Sequence, residues 1–433
     1  MASGSSLTDY PAVQDYLFGL KAKGVKFGID RMRNLAAAIG HPERTLPIVH
    51  IAGTNGKGST AAMVESILRA AGKRVGLYTS PHLVRLGERV QVDRIPLSDA
   101  DIVAYTRELL PIAEELSKLG PDEHPSFFEF MTAMAFLQFA REDCDAGVVE
   151  VGLGGELDAT NVVQPSVTAI TSIALDHCDI LGNTLQEIAR AKAGIIKPDI
   201  PLVLGKVPKA AEDVIREIAA ERRSPVFSVE TAFGSDLNSY PDVALEGDCQ
   251  RVNAATASLI VGQGFPEIDS STIRQGLNAA HWPARWESLQ VADRHLILDT
   301  SHNPEGALEL ASNLTRLVAE SARKPLIVVG ALGVSRAGPL LEAVAAGARE
   351  LHVVVPAQAR SCSHEELRNL IPESFSGPIH LSSVHQLFGS SNWETWSVPG
   401  DTIVVTGSIY LAGEVLSRLP ITHDRLESHL QDF

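Results

Sequence analysis

Apolar and polar positions along this chain follow two alternating patterns. Short runs such as Ile48–Ile51, Val75–Thr79, Gly147–Val151, Val167–Ile173 and Leu202–Leu204 are apolar at nearly every position, which predicts strands buried on both faces. Between them apolar residues recur at helical spacing, as in Met63, Val64, Ile67, Leu68 and Ala71, with Gly72 as the stop. Helices are also predicted over Asp99–Leu119, broken or kinked at Pro111, and over Phe127–Ala140. Strands that alternate with helices in this way predict an α/β fold with a doubly wound, mainly parallel sheet. The pattern thins around Ala280–Trp286 and restarts at Leu296–Leu298, Leu326–Val329, Leu351–Val355 and Ile403–Val405, so a second α/β domain begins near Trp286. The stretch from about Phe227 to Gln250 is irregular and carries no repeat.

Composition narrows the classes of function. At 433 residues the chain exceeds one ordinary core, by the rule of about 150 residues per domain. Its 37 basic and 53 acidic residues leave a charge of −16, which argues against nucleic acid or an anionic membrane as the main partner. An acidic chain that binds phosphate must use local devices. Cys144, Cys178, Cys249 and Cys362 form no CxxC pair, Met1–Ser6 lacks an apolar leader core, and no apolar run reaches the ~18 residues of a membrane span. A cytoplasmic protein is the expectation.

The first such device is Gly53-Thr54-Asn55-Gly56-Lys57-Gly58-Ser59-Thr60, directly after the strand at Ile48. A glycine loop between strand and helix aims backbone N–H groups and a helix N-terminus at an anion, and Lys57 adds a mobile positive charge. Gly58 follows the lysine where the common P-loop has a hydroxyl, so the string is off-pattern. Isolated polar residues fall at or just beyond the carboxyl ends of other strands: Ser80, Glu150 and the pair Asp176-His177. That edge of a parallel sheet is where ligands bind. Ser80, Glu150 and His177 would make an oxygen-rich site suited to Mg²⁺ on nucleotide phosphates. Each has a plainer reading: Ser80 as a turn before Pro81, Glu150 in a core ion pair, His177 as a structural histidine. Lys192 shares a helical face with Leu185, Ile188 and Ala189, and the pattern alone favours a snorkelling lysine over a chemically special one.

In order along the chain come Gly53–Thr60, Thr79-Ser80-Pro81-His82, Glu150-Val151-Gly152-Leu153-Gly154-Gly155, Leu157-Asp158-Ala159-Thr160-Asn161, Ser172-Ile173-Ala174-Leu175-Asp176-His177 and Lys192-Ala193-Gly194. Asp299-Thr300-Ser301-His302-Asn303-Pro304 and Thr406-Gly407-Ser408 follow. This series resembles the folylpolyglutamate synthases and bifunctional dihydrofolate synthases of the Mur ligase superfamily, from about Phe27 to Gly413. The resemblance implies a P-loop-type ATP-binding domain over 1–284 and a smaller Rossmann-like glutamate-ligase domain over 285–433. It implies ATP-dependent joining of L-glutamate to a folate or dihydropteroate carboxylate through an acyl phosphate, by a monomer.

Carried over residue by residue, Gly53, Thr54, Asn55, Gly56, Lys57, Gly58 and Ser59 would hold the ATP phosphates, with Lys57 nearest the transferred group. Ser80, Glu150, His177 and Lys192 would ligate two Mg²⁺ ions, Lys192 as a carbamate formed with CO₂, which reverses the snorkelling preference. Asn253 matches the adenine contact, while Arg285, Asp299 and His302 of the second domain match the nucleotide side, in a site that closes between domains. Ser408 and His302 are candidates for the glutamate end. Ser126, Phe128 and Asp158 match the pterin region of bifunctional members, and Phe128 reads equally as core. Departures are Glu156 where the family has Arg, Ala284 where it has Gly, Cys249 where it has His, and a loop Gly330–Gly338 without the usual acids. Two alternatives stay open at this stage: a related ligase acting on a non-folate carboxylate, and a nucleotide-binding regulatory protein.

Overall fold

In the computed structural model of the chain every apolar run predicted as a strand is one. The structure describes residues 7–21, 28–120, 122–389 and 393–419, so Met1–Ser6 and Phe27 lie outside the described residues. The chain divides into two compact units. One lies within Met1–His82, Leu86–Ala244 and Gln250–His281, the other within Leu83–Arg85, Leu245–Cys249 and Trp282–Phe433.

The first unit contains β1 (Ile48–Ala52), β2 (Val75–Tyr78), β3 (Val90–Val92), β4 (Ile95–Pro96), β5 (Ala146–Glu150), β6 (Val167–Ile170), β7 (Leu202–Leu204) and β8 (Val226–Ser228). They form one sheet in the order β4-β3-β2-β5-β1-β6-β7-β8, parallel except for the β3 and β4 edge. Central β1 lies between β5 and β6 and is buried at every position, as its unbroken apolar run requires. Each large apolar side chain buried there contributes about 1.5–3 kcal/mol. The edge hairpin and β8 escape prediction because their two or three residues include a polar residue or a proline and so make no unbroken apolar run, unlike β7.

Pro111 does not break its helix, which is continuous over Asp99–Ser117. Proline removes the bond to the carbonyl four residues back, and Pro111 lies on the exposed face, where water can satisfy that carbonyl. Leu109, Leu110 and Ala113 hold the opposite face in the core.

The second unit contains β9 (Arg285–Val291), β10 (Arg294–Asp299), β11 (Leu326–Val329), β12 (Glu350–Val354), β13 (Ile379–Ser382) and β14 (Thr402–Thr406). Its sheet runs β13-β12-β11-β14-β10-β9, parallel except for β9. Apolar residues of β10, β11, β12 and β14 pack into a core on each face of this sheet. Among the described residues no helix is long and apolar enough to cross a membrane.

One polar residue in the first core makes stability depend on pH. His50, in the middle of β1, is fully buried, and its Nε2 lies 2.9 Å from Thr160 Oγ1. Burial, with a smaller push from the Lys197 charge, lowers its pKa to about 3. The folded protein therefore holds a neutral ring, whereas the unfolded chain takes up a proton below about pH 6.5. Stability from this group is complete above pH 6.5 and falls as pH drops toward 3. Between pH 7 and pH 4.5 the wild type should lose on the order of 2 kcal/mol more than His50→Leu. Urea unfolding at several pH values measures the difference, and parallel pH profiles would contradict it.

Candidate functional site

The loop after β1 gets its shape from the segment after β6. Thr54 N donates to Ser172 O at 2.9 Å, Asn55 N donates to Ser172 Oγ at 2.9 Å, and Thr171 Oγ1 donates to Asn55 O at 2.6 Å. Thr171 to Ile173, predicted as strand, lie beyond the end of β6, and Thr171 and Ser172 act as this brace. Two glycines are sterically required. A Cβ on Gly53 would lie 1.9 Å from Thr171 Oγ1. Gly56 has φ +81°, and a Cβ there would meet Asn253 Oδ1 at 2.4 Å. Gly56 caps the helix Lys57–Ala70, so Lys57, Gly58 and Ser59 form its first turn and leave their N–H groups outside the helical ladder. A phosphate fits this arrangement of N–H donors at a helix N-terminus. Gly72, at φ +79°, lies just past the helix end, where its stop was predicted.

Two lysines converge on one carbonyl of this loop. Lys57 Nζ donates to Gly53 O and Thr54 O, both at 3.1 Å. Lys192 Nζ donates to the same Gly53 O at 2.8 Å from the last turn of the helix Leu185–Ala193. Lys192 is 6% exposed, so it does not snorkel. Burial first, and the Lys57 charge second, lower its pKa to about 7, against a smaller upward pull from Asp176 and Asp158. Two ammonium groups on one carbonyl repel, and the buried one gives up its proton more readily.

The carboxyl ends of the neighbouring strands carry the other predicted groups. Glu150 ends β5 and is buried, and its Oε2 accepts from Ser80 N at 3.1 Å just beyond β2. A backbone donor from the neighbouring strand end thus meets the buried carboxylate. His177 follows β6 in a left-handed conformation, φ 51°, with Nε2 3.9 Å from Asp176 Oδ2. Since β5 and β6 flank β1, these residues share one rim at the point where the strand order reverses. Asn253 lies behind the loop, its Nδ2 donating to Gln250 Oε1 at 3.0 Å and its Oδ1 facing Gly56.

The residues matched to a pterin region each have a structural task. Ser126 caps the helix Phe127–Arg141 in a reciprocal box with Glu129. Asp158 accepts from Leu153 N at 2.9 Å, Thr160 N at 3.0 Å and Thr160 Oγ1 at 2.5 Å, and burial raises its pKa. Phe128 is only half-buried. Its ring lies so close to Gly152 that a Cβ there would come within 2.4 Å of Cζ, and its centroid is 5.9 Å from that of Tyr78. Glu156 is exposed and tied by its N–H to Ala191 O at 3.0 Å, beside the turn that ends in Lys192.

The second unit repeats the rim in its own sheet. The β9–β10 register slips between Leu298 and Asp299, leaving Trp286 as an extra residue at φ 54°. Such a bulge re-aims the side chains beside it. Here Trp286 turns into the core, while Arg285 Nη1 reaches Thr300 Oγ1 and Ala284 O. Ala284 has φ 56°, a conformation natural to the glycine the family has there. Asp299 ends β10, and its Oδ1 accepts from Ser301 N at 2.9 Å and Thr406 Oγ1 at 3.3 Å. His302 Nδ1 lies 2.8 Å from Thr300 O. Ser408, just past β14, is buried and caps the helix Ile409–Leu416 through Tyr410 N at 3.1 Å. The loop at Gly330–Gly338 leads into the helix Val334–Gly347. Cys249 is half-buried, and desolvation of its thiol pushes it up to about 12.

Sequence reasoning missed Thr171 and Ser172, the brace of the glycine loop. Their signal was available, since they are a polar pair directly after an apolar strand.

Comparison with known proteins agrees with this chemistry. The family model described as Mur ligase middle domain matches residues 51–236. A dihydrofolate synthase/folylpolyglutamate synthase of Bacillus subtilis is 39% identical over 337 residues, covering 72% of this chain and 78% of that protein. A folylpolyglutamate synthase of Lacticaseibacillus casei is 35% identical over 414 residues, covering 90% of this chain and 94% of that protein. The structure of E. coli FolC in complex with DHPP and ADP matches with a TM-score of 0.81 at 29% identity, covering 96% of this chain and 98% of that one.

Proposed function

We propose, for a chain that belongs to the dihydrofolate synthase/folylpolyglutamate synthase family of the Mur ligase superfamily, the ATP-dependent ligation of L-glutamate to a folate or dihydropteroate carboxylate. The observation that carries the reading is the convergence of Lys57 and Lys192 on the Gly53 carbonyl of a phosphate-shaped loop. ATP is a co-substrate. The pterin carboxylate oxygen attacks the γ-phosphorus and ADP leaves, giving an acyl phosphate. The neutral α-amine of glutamate then attacks the acyl carbon, phosphate departs with the electron pair, and the nitrogen sheds a proton. Activation comes first because a free carboxylate has no good leaving group.

In this reading the N–H groups from Gly53 to Ser59 orient the β- and γ-phosphates, and Lys57 leaves the loop carbonyls to follow the charge that moves onto the transferred group. Asn253 supports the adenine. Arg285, Asp299 and His302 are assigned to the nucleotide side, His302 and Ser408 to glutamate, and Ser126, Phe128 and Asp158 to the pterin. The half-buried Phe128 ring beside Gly152 favours that last assignment over a purely core role.

Glu150, Ser80, His177 and a carbamylated Lys192 would hold magnesium, an assignment that suits the buried Glu150 carboxylate at the strand end. Two Mg²⁺ ions, when bound, would neutralise phosphate charge during transfer. Only a neutral amine adds CO₂, and a Lys192 pKa near 7 leaves much of it neutral at physiological pH. The addition replaces a cation beside Lys57 with an anion and so removes a repulsion.

The test is phosphate release from Mg-ATP and L-glutamate, with dihydropteroate, tetrahydrofolate or a UDP-sugar peptide as acceptor. Release is expected with at least one pterin and not with the sugar peptide. Release with no pterin would overturn the folate assignment.

A further inference from the structure

At the edge of the second unit's sheet, β12 and β13 run parallel in a register that sets His352 beside His380. Glu350 precedes His352 by two residues and so projects from the same face of β12. The ligand atoms of these three side chains lie within 4.8 Å of one another. Glu350 Oε2 is 3.3 Å from His380 Nε2, and the two imidazole rings stack with centroids 4.7 Å apart.

His352 is 3% exposed, and neither Nδ1 nor Nε2 has a hydrogen-bond partner. A buried polar group left unsatisfied is destabilising, and this ring has two. The Trp396 ring lies edge-on against it with centroids 4.8 Å apart, and the indole N–H of Trp396 is committed to Leu387 O. None of the three residues has a task in the ligase reaction.

We propose that Glu350, His352 and His380 form a binding site for a divalent transition metal of the zinc type, which would clip edge strand β13 to β12. Two imidazoles and one carboxylate suit zinc, nickel or copper better than magnesium, and water would fill the fourth position of a tetrahedral ion. Metal bonds of about 2.0–2.2 Å place ligand atoms roughly 3.5 Å apart, so the cluster must tighten by about 1 Å on loading. His380 has the freedom to do so, being 46% exposed on an edge strand, where a turn of its ring breaks the stack and brings a lone pair toward His352. Arg349 Nε lies 3.4 Å from Glu350 Oε1, while its Nη1 is 3.0 Å from Asp401, which draws off part of the guanidinium charge. Oε2 stays on the histidine side.

The test titrates the full chain with Zn²⁺ by calorimetry in excess Mg²⁺ and ADP, which fill the nucleotide site. One Zn²⁺ per chain should bind, and thermal unfolding should shift upward with added Zn²⁺. Replacing buried His352 risks the fold, so the exposed His380→Ala and the conservative Glu350→Gln carry the test. Each should weaken Zn²⁺ binding at least about tenfold, the scale seen when even an outer partner of a metal ligand is lost. Their ligase activity without zinc should match wild type. Absence of Zn²⁺ binding, or the same affinity in wild type and both variants, would overturn the site.

Discussion

Lys192→Ala should lower kcat at least about a hundredfold and leave the protein folded, with a thermal midpoint equal to or above that of wild type. The two halves of this expectation rest on different physics. The residue is 6% exposed and its amine shares the Gly53 carbonyl with Lys57, so in the free protein it is a buried base held near a like charge. Removing such a group relieves desolvation and repulsion, which offsets the packing that its methylene stem supplied. In the proposed mechanism the same nitrogen, loaded with CO₂, would carry an anion where metal and phosphate charge gather, and its removal would cost charge stabilisation during transfer. Acetate or propionate, able to enter the vacated space, should restore part of the activity of Lys192→Ala and none to wild type. A variant with wild-type kcat and no response of the wild type to bicarbonate would end the carbamate proposal.

Lys57→Ala should reduce kcat/KM for ATP by about 10²–10³, the range for losing one preorganised donor at a developing charge. Lys57 is the first residue of the helix Lys57–Ala70, and its ammonium folds back onto the carbonyls of Gly53 and Thr54. Those bonds park the charge within one side-chain length of the phosphate cradle. A loss confined to KM would mean that Lys57 holds ground-state ATP only, while a loss in kcat places it on the transferred phosphoryl group. Lys57→Arg should recover little, because a planar fork does not fit where a compact ammonium sits. Unaltered ATP kinetics in Lys57→Ala would remove the assigned role.

Much of this was legible in the sequence because it is local. A strand buried on both faces writes itself as an unbroken apolar run, and β1, β7 and β11 were readable for that reason. Glu150 stood out because a carboxylate inside Val148-Val149-Glu150-Val151 contradicts its surroundings. The short edge strands β3 and β4 were not readable, since Gln91 and Pro96 interrupt what would otherwise be an apolar run. Pro111 looked like a break because sequence does not say which helix face meets water. Ala284 was visible as a departure from the family, but its left-handed backbone was not.

Residue types at short spacing were enough for two α/β sheets, the glycine loop between strand and helix, and the family. Which groups meet was settled only on folding. Lys192 touches Gly53 across 139 positions, Thr171 braces Asn55 across 116, and His352 faces His380 through the register of two parallel strands. Such pairings are set by strand order and sheet register, which arise from packing the whole core at once and leave no local mark. The chemistry of Lys192 follows from one of them: a lysine read from its helix as snorkelling is, once folded, a buried base beside the glycine loop.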